Sequence, residues 1–193
     1  MRTGHYGMAS DLSVEAAELV RRSRTTTSSD ALAIMGAGYL SGAMACARGG
    51  DGASAQELLD AANACAAQLG REVSAPAVFG PSNLAIHRVA IPMELGDPIA
   101  ALRQAEQTML VLPSGLGERS TRYLIDVARA NAARQQDSDA VHALLEAEQV
   151  ASEEVRTHRL TRTVLLDVLA REDRARTPAL RAIASRCGVL DPS

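Results

Sequence analysis

The sequence predicts an all-α fold of consecutive antiparallel helix pairs, and three observations support this prediction. Aromatic residues make up only 2% of the chain, with one Phe and no Trp, whereas alanine is abundant. Small residues suit closely packed helices better than a sandwich or barrel, whose strands favour β-branched and aromatic residues. Apolar residues recur at helical spacing along nearly the whole chain. Short polar turns divide these stretches at similar intervals.

Helix-end signals divide the chain into nine predicted helices. Serine and aspartate caps, prolines at first helical positions and glycines after last turns mark the ends. The predicted helices cover residues 11–23, 28–48, 53–69, a stretch within 78–98, and residues 97–108, 118–135, 138–150, 153–172 and 178–187. The segment closest to a strand, Met109 to Leu112, is short and unpaired.

The stretch VFGPSNLAIHRVAIPMELGDP, residues 78–98, predicts a helix entered through Gly-Pro and left through Gly-Asp-Pro. Pro92 lies inside it. Because an interior proline removes a backbone hydrogen bond, we expect a locally altered, kinked helix there.

The turns also indicate an internal repeat. Gly50-Asp51, Gly96-Asp97 and Gln136-Asp137 each end one helix and start the next, at separations of 46 and 40 residues. An alanine follows each turn: Ala55, Ala101 and Ala140.

The third of these units fits the 34-residue tetratricopeptide pattern best. Its large and small positions are filled by Leu124, Val127, Ala128, Asn131, Ala140, Leu144 and Ala147. Small residues let two antiparallel helices approach closely. We therefore predict a tetratricopeptide-like right-handed array over residues 29–193, preceded by an N-terminal extension, residues 1–28, with a capping helix. The alternative is a generic alanine-rich helical bundle.

Two segments carry a resemblance to a known family. FGPSNLAIHRVAIPMELGDPIAAL and ERSTRYLIDVARANAARQQDSDAVHALLEAEQVASEEVRTHRL resemble the C-terminal, tetratricopeptide-like sensor half of bacterial Xre-type helix-turn-helix transcriptional regulators. The resemblance runs from about Ser29 to about Leu169. It departs from the family in two ways: no helix-turn-helix segment precedes the array, and Pro92 replaces a small helix former.

Composition and charge exclude several function classes. The net charge is -3, which does not favour nucleic acid, so we expect no sequence-specific DNA binding. The three cysteines, Cys46, Cys65 and Cys187, form no metal or redox motif. No signal core and no run of the ~18 apolar residues that a membrane span needs are present. We expect a soluble, cytoplasmic protein with reduced thiols, no membrane association, no metal and no cofactor.

The candidate ligand-binding residues are taken from the first helices of the repeat units, which line the concave face of such an array. They are Asn83, His87, Arg122, Asp126 and Arg129. Arg122, Asp126 and Arg129 share one helix face, as do Asn83 and His87. Arginine and asparagine suit a small anionic or peptide-like ligand. In the alternative, Arg122, Asp126 and Arg129 form only a solvated ion-pair network, and His87 has its hydrogen bonds satisfied between helices.

These residues predict a non-enzymatic module that binds a ligand or a protein partner, with a regulatory role as a stand-alone sensor. Two alternatives stay open: a truncated DNA-binding regulator, and a biosynthetic enzyme that uses the groove as its active site. For the enzyme, the acid or base candidates are His87, Asp126 and Glu94. We also expect a homodimer, because the apolar helix pair 29–69 is only partly covered by residues 11–23.

Overall fold

The computed structural model describes residues 3–22, 28–74, 77–108, 117–173, 175 and 177–190, and these residues are all-α. The helices are α1 (Thr3–Arg21), α2 (Ser29–Gly49), α3 (Gly52–Leu69), α4 (Pro81–Glu94), α5 (Pro98–Thr108), α6 (Gly117–Ala133), α7 (Asp137–Val150), α8 (Ser152–Thr157), α9 (Arg159–Leu169) and α10 (Leu180–Arg186). The all-α prediction is confirmed. One isolated antiparallel bridge joins Val73 and Phe79. The segment 109–112, which we considered as a strand, lies outside the described residues.

The chain divides into two compact units. Unit 1 holds the residues up to Asp97 and the end of α5 from Glu106; unit 2 holds Pro98–Ala105 and the helices from α6 onward. Each unit has its own core. The core of unit 1 draws its buried residues from Ala17 to Ile91, and the core of unit 2 from Ile125 to Cys187.

In unit 1, α2 lies at the centre and packs against α1, α3 and α4. Contacts along α2 show that α1 runs antiparallel to it, since Ser10 meets Cys46 near one end and Ala17 meets Gly38 further along. Gly42 touches Leu58 of α3. Glycines on α2 therefore let its neighbours approach closely.

The residues that precede α4 are fixed by the core. Phe79 is completely buried, and its ring lies against Gly36 of α2. Val73 and Phe79 exchange two backbone hydrogen bonds of 2.8 and 2.9 Å. The carboxylate of Glu72 accepts a 2.6 Å hydrogen bond from the Ser82 backbone N–H in the first turn of α4. Together these contacts set where α4 begins.

In unit 2, α6 and α7 form the main helix pair, and α9 packs against both. The beginning of α6 lies near α8, because Arg122 contacts Glu154, and the end of α6 lies near the end of α9, because Arg171 donates to the Ala132 carbonyl. Helices α6 and α9 therefore run in the same direction. Helix α10 packs against α9.

The three predicted turns share one backbone conformation. Each has a residue with positive φ, and the N–H groups of that residue and of the next one bond back to the preceding helix. These left-handed residues are Gly50 at φ 83°, Gly96 at φ 80° and Gln135 at φ 59°. This is the Schellman pattern, which satisfies carbonyls at a helix end.

The position of the third turn requires a correction. The residue that follows the left-handed one is Asp51, Asp97 or Gln136, so Gln136, not Asp137, is equivalent to the first two aspartates. An alanine lies four residues after each of them, at Ala55, Ala101 and Ala140, and all three are fully buried. The recurring alanine is thus a core position in each case.

Two predicted helices differ from the structure. Helix α1 begins at Thr3 instead of residue 11, and the predicted helix 153–172 is divided into α8 and α9. The break is at His158, whose backbone is extended and whose Nδ1 accepts the Leu160 N–H at 3.2 Å. Pro92 lies in the last turn of α4, which ends two residues later, so its missing N–H affects only that turn.

Within the described residues, α2 has the length and apolar composition of a membrane span, although the sequence analysis found no such run. Of its most apolar window, 61% is buried inside the protein. This burial is typical of a core helix.

Candidate functional site

A cleft of about 690 Å³ opens between α1 and α3 in unit 1. Helix α1 contributes most of its wall, the start of α3 contributes the other side, and Cys46 of α2 lies at the bottom. The lining residues are Gly7, Ser10, Asp11, Val14, Glu15, Glu18, Leu19, Cys46, Asp51, Ser54, Glu57 and Leu58, with Arg22 at one end. A cleft of this size is in the range of known ligand sites.

The floor of the cleft is apolar and closely packed. Val14 and Leu58 both approach Gly42 of α2, since a Cβ added there would lie 3.3 and 3.1 Å from their side chains. Beside them, the hydroxyl of the buried Ser10 lies 3.1 Å from the thiol of Cys46. These two polar groups at the bottom of the cleft therefore hydrogen-bond to each other.

The walls of the cleft are acidic. Asp11, Glu15 and Glu57 are exposed and have no hydrogen-bond or ion-pair partner among the described residues. The other two carboxylates already have structural partners. Glu18 accepts from Arg21 and Tyr39, which lowers its pKa, and Asp51 caps α3 by accepting from Ser54, which lowers its pKa as well. Three carboxylates are thus available to a bound molecule.

The predicted site residues of unit 1 lie on α4, outside this cleft. Asn83 donates its side-chain N–H to the Val78 carbonyl at 3.0 Å. The Nδ1 of His87 lies 2.9 Å from the Asn83 carbonyl oxygen, one turn back on the same helix. Glu94 lies 3.4 Å from Arg48 of α2. Each of them has a contact within its own unit.

The predicted site residues of unit 2 share one face of α6, as expected from their spacing. Arg129 pairs with Asp126 at 2.6 Å, and both side chains are mostly buried, at 19% and 14% exposure. Arg122 is 68% exposed and pairs with Glu154 of α8 at 3.2 Å. Glu154 belongs to a different helix, so spacing along α6 does not predict its pairing with Arg122.

His158 also belongs to this face of unit 2. Burial lowers its pKa first, and the positive charge of Arg122 lowers it further, whereas Glu154 and Asp126 oppose this effect. The Oε2 atom of Glu154 is buried and has no hydrogen-bond partner among the described residues. Arg122, Asp126, Arg129, Glu154 and His158 therefore form a polar patch, which we call the α6 face.

No group of three or more His, Cys, Asp or Glu residues in the described part of the chain could hold a metal ion. The acid or base candidates are divided: His87 and Glu94 belong to unit 1, and Asp126 belongs to unit 2. Comparison with protein-family models, curated proteins and solved structures finds no match for the chain.

The cleft was missed because it depends on how α1 and α3 pack, which spacing along one helix does not reveal. One signal was present, however. Asp11, Glu15 and Glu18 are separated by four and three residues, so they share one face of α1. Three acidic residues on one face of a helix that also packs against the core form a negatively charged surface.

Proposed function

We propose that this chain is a non-enzymatic binding module that holds a ligand or a partner protein in the α1–α3 cleft. The observation that carries the proposal is the cleft itself. It joins an apolar floor at Val14 and Leu58 to three carboxylates that have no hydrogen-bond or ion-pair partner in the described part of the chain. Such a combination of apolar surface with a few polar groups is typical of binding sites.

The proposal includes a regulatory role as a sensor in the cytoplasm, with a tetratricopeptide-like array as scaffold. Three features support the array: the repeated Schellman turn, the three buried alanines that follow it, and the same direction of α6 and α9. The resemblance to the sensor half of Xre-type regulators supports the regulatory role. Specific nucleic-acid binding is not part of the proposal.

The second candidate site is the α6 face, for a small anionic or peptide-like ligand. The exposed guanidinium of Arg122 favours it, because a guanidinium gives forked hydrogen bonds to carboxylates. In an enzymatic alternative, His87, Asp126 or Glu94 would act as acid or base.

The test is native mass spectrometry of the protein purified from its own host. We expect a co-purifying species with the wild type and its loss from the variant Ser54→Trp, because an indole placed on the cleft wall fills the opening. Gln56→Trp is the matched control: it lies on the same helix, is exposed and does not line the cleft.

Retention of the species by both variants would contradict the cleft as the site. Loss only from Arg122→Ala would assign it to the α6 face. Turnover of the species by the purified protein would favour the enzymatic alternative.

A further inference from the structure

We propose that the occupant of the cleft is a basic amphipathic helix of a partner protein, with apolar residues on one face and arginine or lysine beside them. This inference rests on the proposed function, since it names what the same cleft binds. The shape, the apolar surface and the charge of the cleft each support it.

The cleft has a long wall along α1 and a shorter one along the start of α3, from Asp51 to Leu58. Its α1 wall extends from Gly7 to Arg22. At 1.5 Å per residue, this wall is roughly 22 Å long. A helix of about 15 residues has the same length, whereas a compact metabolite occupies only part of it. A helix laid along a groove between two helices is a common mode of peptide recognition.

An exposed apolar stripe on α1 borders the cleft through Leu19. Leu19 lines the cleft and is 62% exposed. Met8 and Leu12 of the same helix are 62% and 61% exposed. The spacing of Met8, Leu12 and Leu19 places them on one side of α1. A partner with apolar residues at positions i, i+3, i+4 and i+7 would cover such a surface.

The charge of the rim selects a cationic partner. Asp11 and Glu15 are one turn apart on α1, and Glu57 faces the cleft from α3. Arginine residues one turn apart on a bound helix match the spacing of Asp11 and Glu15. Among the described residues that line the cleft, the one cation is Arg22, at one end of the α1 wall. The charge therefore differs between the two ends of the cleft, so a bound basic helix is expected to lie in one direction.

The experiment uses two synthetic 15-residue helical peptides with the same leucine face, one with arginine and one with glutamate on the flanking positions. Binding of each to the full chain is measured by fluorescence anisotropy at about physiological salt. We expect the arginine peptide to bind. We expect the triple variant Asp11→Asn, Glu15→Gln, Glu57→Gln to weaken it by about tenfold or more, from three lost ion pairs.

The matched control is the triple variant Glu106→Gln, Asp139→Asn, Glu153→Gln. These carboxylates are exposed and lie outside the cleft, and the net charge changes by the same amount. We expect the control to change the affinity by less than about twofold, because these carboxylates do not line the cleft and exposed charges are screened by salt. Circular dichroism of both triple variants checks that the helices are retained.

Each further outcome would overturn the inference in a distinguishable way. Equal losses in the two triple variants would show that only the overall charge matters. If the glutamate peptide binds as tightly as the arginine peptide, or if spermine binds and neither peptide does, the occupant is not a basic helix. The cleft would then still be a binding site. Peptide binding that Ser54→Trp does not change would place the peptide elsewhere, and the co-purification experiment then decides the proposed function separately. Self-association that the cleft triple variant abolishes would identify a second copy of the chain as the occupant.

Discussion

Gly36 shows how much the core of unit 1 depends on a single missing side chain. A Cβ atom at this position would lie 2.1 Å from the Phe79 ring, and Phe79 is completely buried. The ring is held by the backbone bridge between Val73 and Phe79, so it has little room to move. The only Phe in the chain is thus packed against the one residue type that leaves space for it.

We predict that Gly36→Ala destabilises the protein by about 1–3 kcal/mol, the usual cost of overpacking a core. The control is Gly7→Ala in α1, where a Cβ meets nothing within 4 Å and alanine is the better helix former. The free energy of unfolding in urea measures both. A loss in the control equal to that in Gly36→Ala would show that the contact with Phe79 is not the cause.

We predict that replacing the two arginines of the α6 face changes the free energy of unfolding by different amounts. Arg122 is 68% exposed, so Arg122→Ala changes the free energy of unfolding by less than about 0.5 kcal/mol. Arg129 is 19% exposed and donates a 2.6 Å hydrogen bond to a mostly buried carboxylate. Arg129→Ala therefore costs more, about 1–3 kcal/mol. Thermal and urea unfolding of the two single variants check this order, and equal effects would contradict it.

At the level of elements, the repeated turn contains one unfavourable residue. Gly50 and Gly96 adopt positive φ without a steric cost, whereas Gln135 adopts φ 59° with a side chain. The hydrogen bonds of the Schellman pattern and the buried alanine that follows keep this turn in the same conformation as the other two.

We predict that Gln135→Gly stabilises the protein by up to about 1 kcal/mol, because glycine removes the clash of the left-handed conformation. Gln149→Gly, inside α7, is the matched control and destabilises by about 1 kcal/mol. The urea midpoint of each variant gives the result. A lower midpoint for Gln135→Gly would show that the glutamine side chain has a stabilising contact.

Glu148 connects three helices of unit 2. It accepts hydrogen bonds from Arg186 of α10 at 2.6 and 2.7 Å and from Arg156 of α8 at 3.4 Å, and its side chain is 12% exposed. The bonds from Arg186 are the main cause of its lowered pKa, although burial opposes the shift. A carboxylate with a lowered pKa stabilises the fold above its unfolded pKa and loses this contribution as the pH falls through its folded pKa.

We therefore predict that Glu148→Gln costs about 1–2 kcal/mol at pH 7, from the loss of charge-assisted hydrogen bonds. The difference from the wild type should shrink as the pH falls below the ordinary glutamate value of 4.5. Urea unfolding at several pH values between about 3 and 7 measures this. A difference independent of pH would show that the carboxylate charge contributes nothing.

Local signals explain which elements were predictable. The ends at Gly50-Asp51 and Gly96-Asp97 were predicted because glycine and aspartate determine the backbone there. The break at His158 was missed because a ring nitrogen, not a serine or aspartate oxygen, accepts the capping N–H. The pairing of Arg122 with Glu154 and the cleft both depend on contacts between helices, which periodicity within one helix does not encode.

At the scale of the whole molecule, the interface of the expected homodimer can be predicted more specifically than from the sequence. Helix α1 packs along α2, so the apolar face of α2 is covered more than the sequence indicated. Exposed apolar side chains are present instead on α1, at Met8, Leu12 and Leu19. These are the residues with which a second copy would make contact when no partner helix is bound, so the two occupants compete for this face of α1.

We predict that the wild type is a dimer at tens of micromolar and that Met8→Ser with Leu12→Ser makes it a monomer, because these changes remove apolar area from the interface. Sedimentation velocity measures the mass, and Val150→Ser, an exposed apolar residue of α7, is the control. A monomeric wild type would reject the prediction.

The separation of the two cores has a consequence for how the chain is made. The last buried residue of the first core is Ile91, and the last of the second is Cys187, 96 residues later. At about 5–20 residues per second, a ribosome needs roughly 5–20 seconds to synthesise that interval. Helices that pack mainly against their neighbours in sequence fold in far less time. The core of unit 1 can therefore form on the nascent chain before translation of the core of unit 2 is complete.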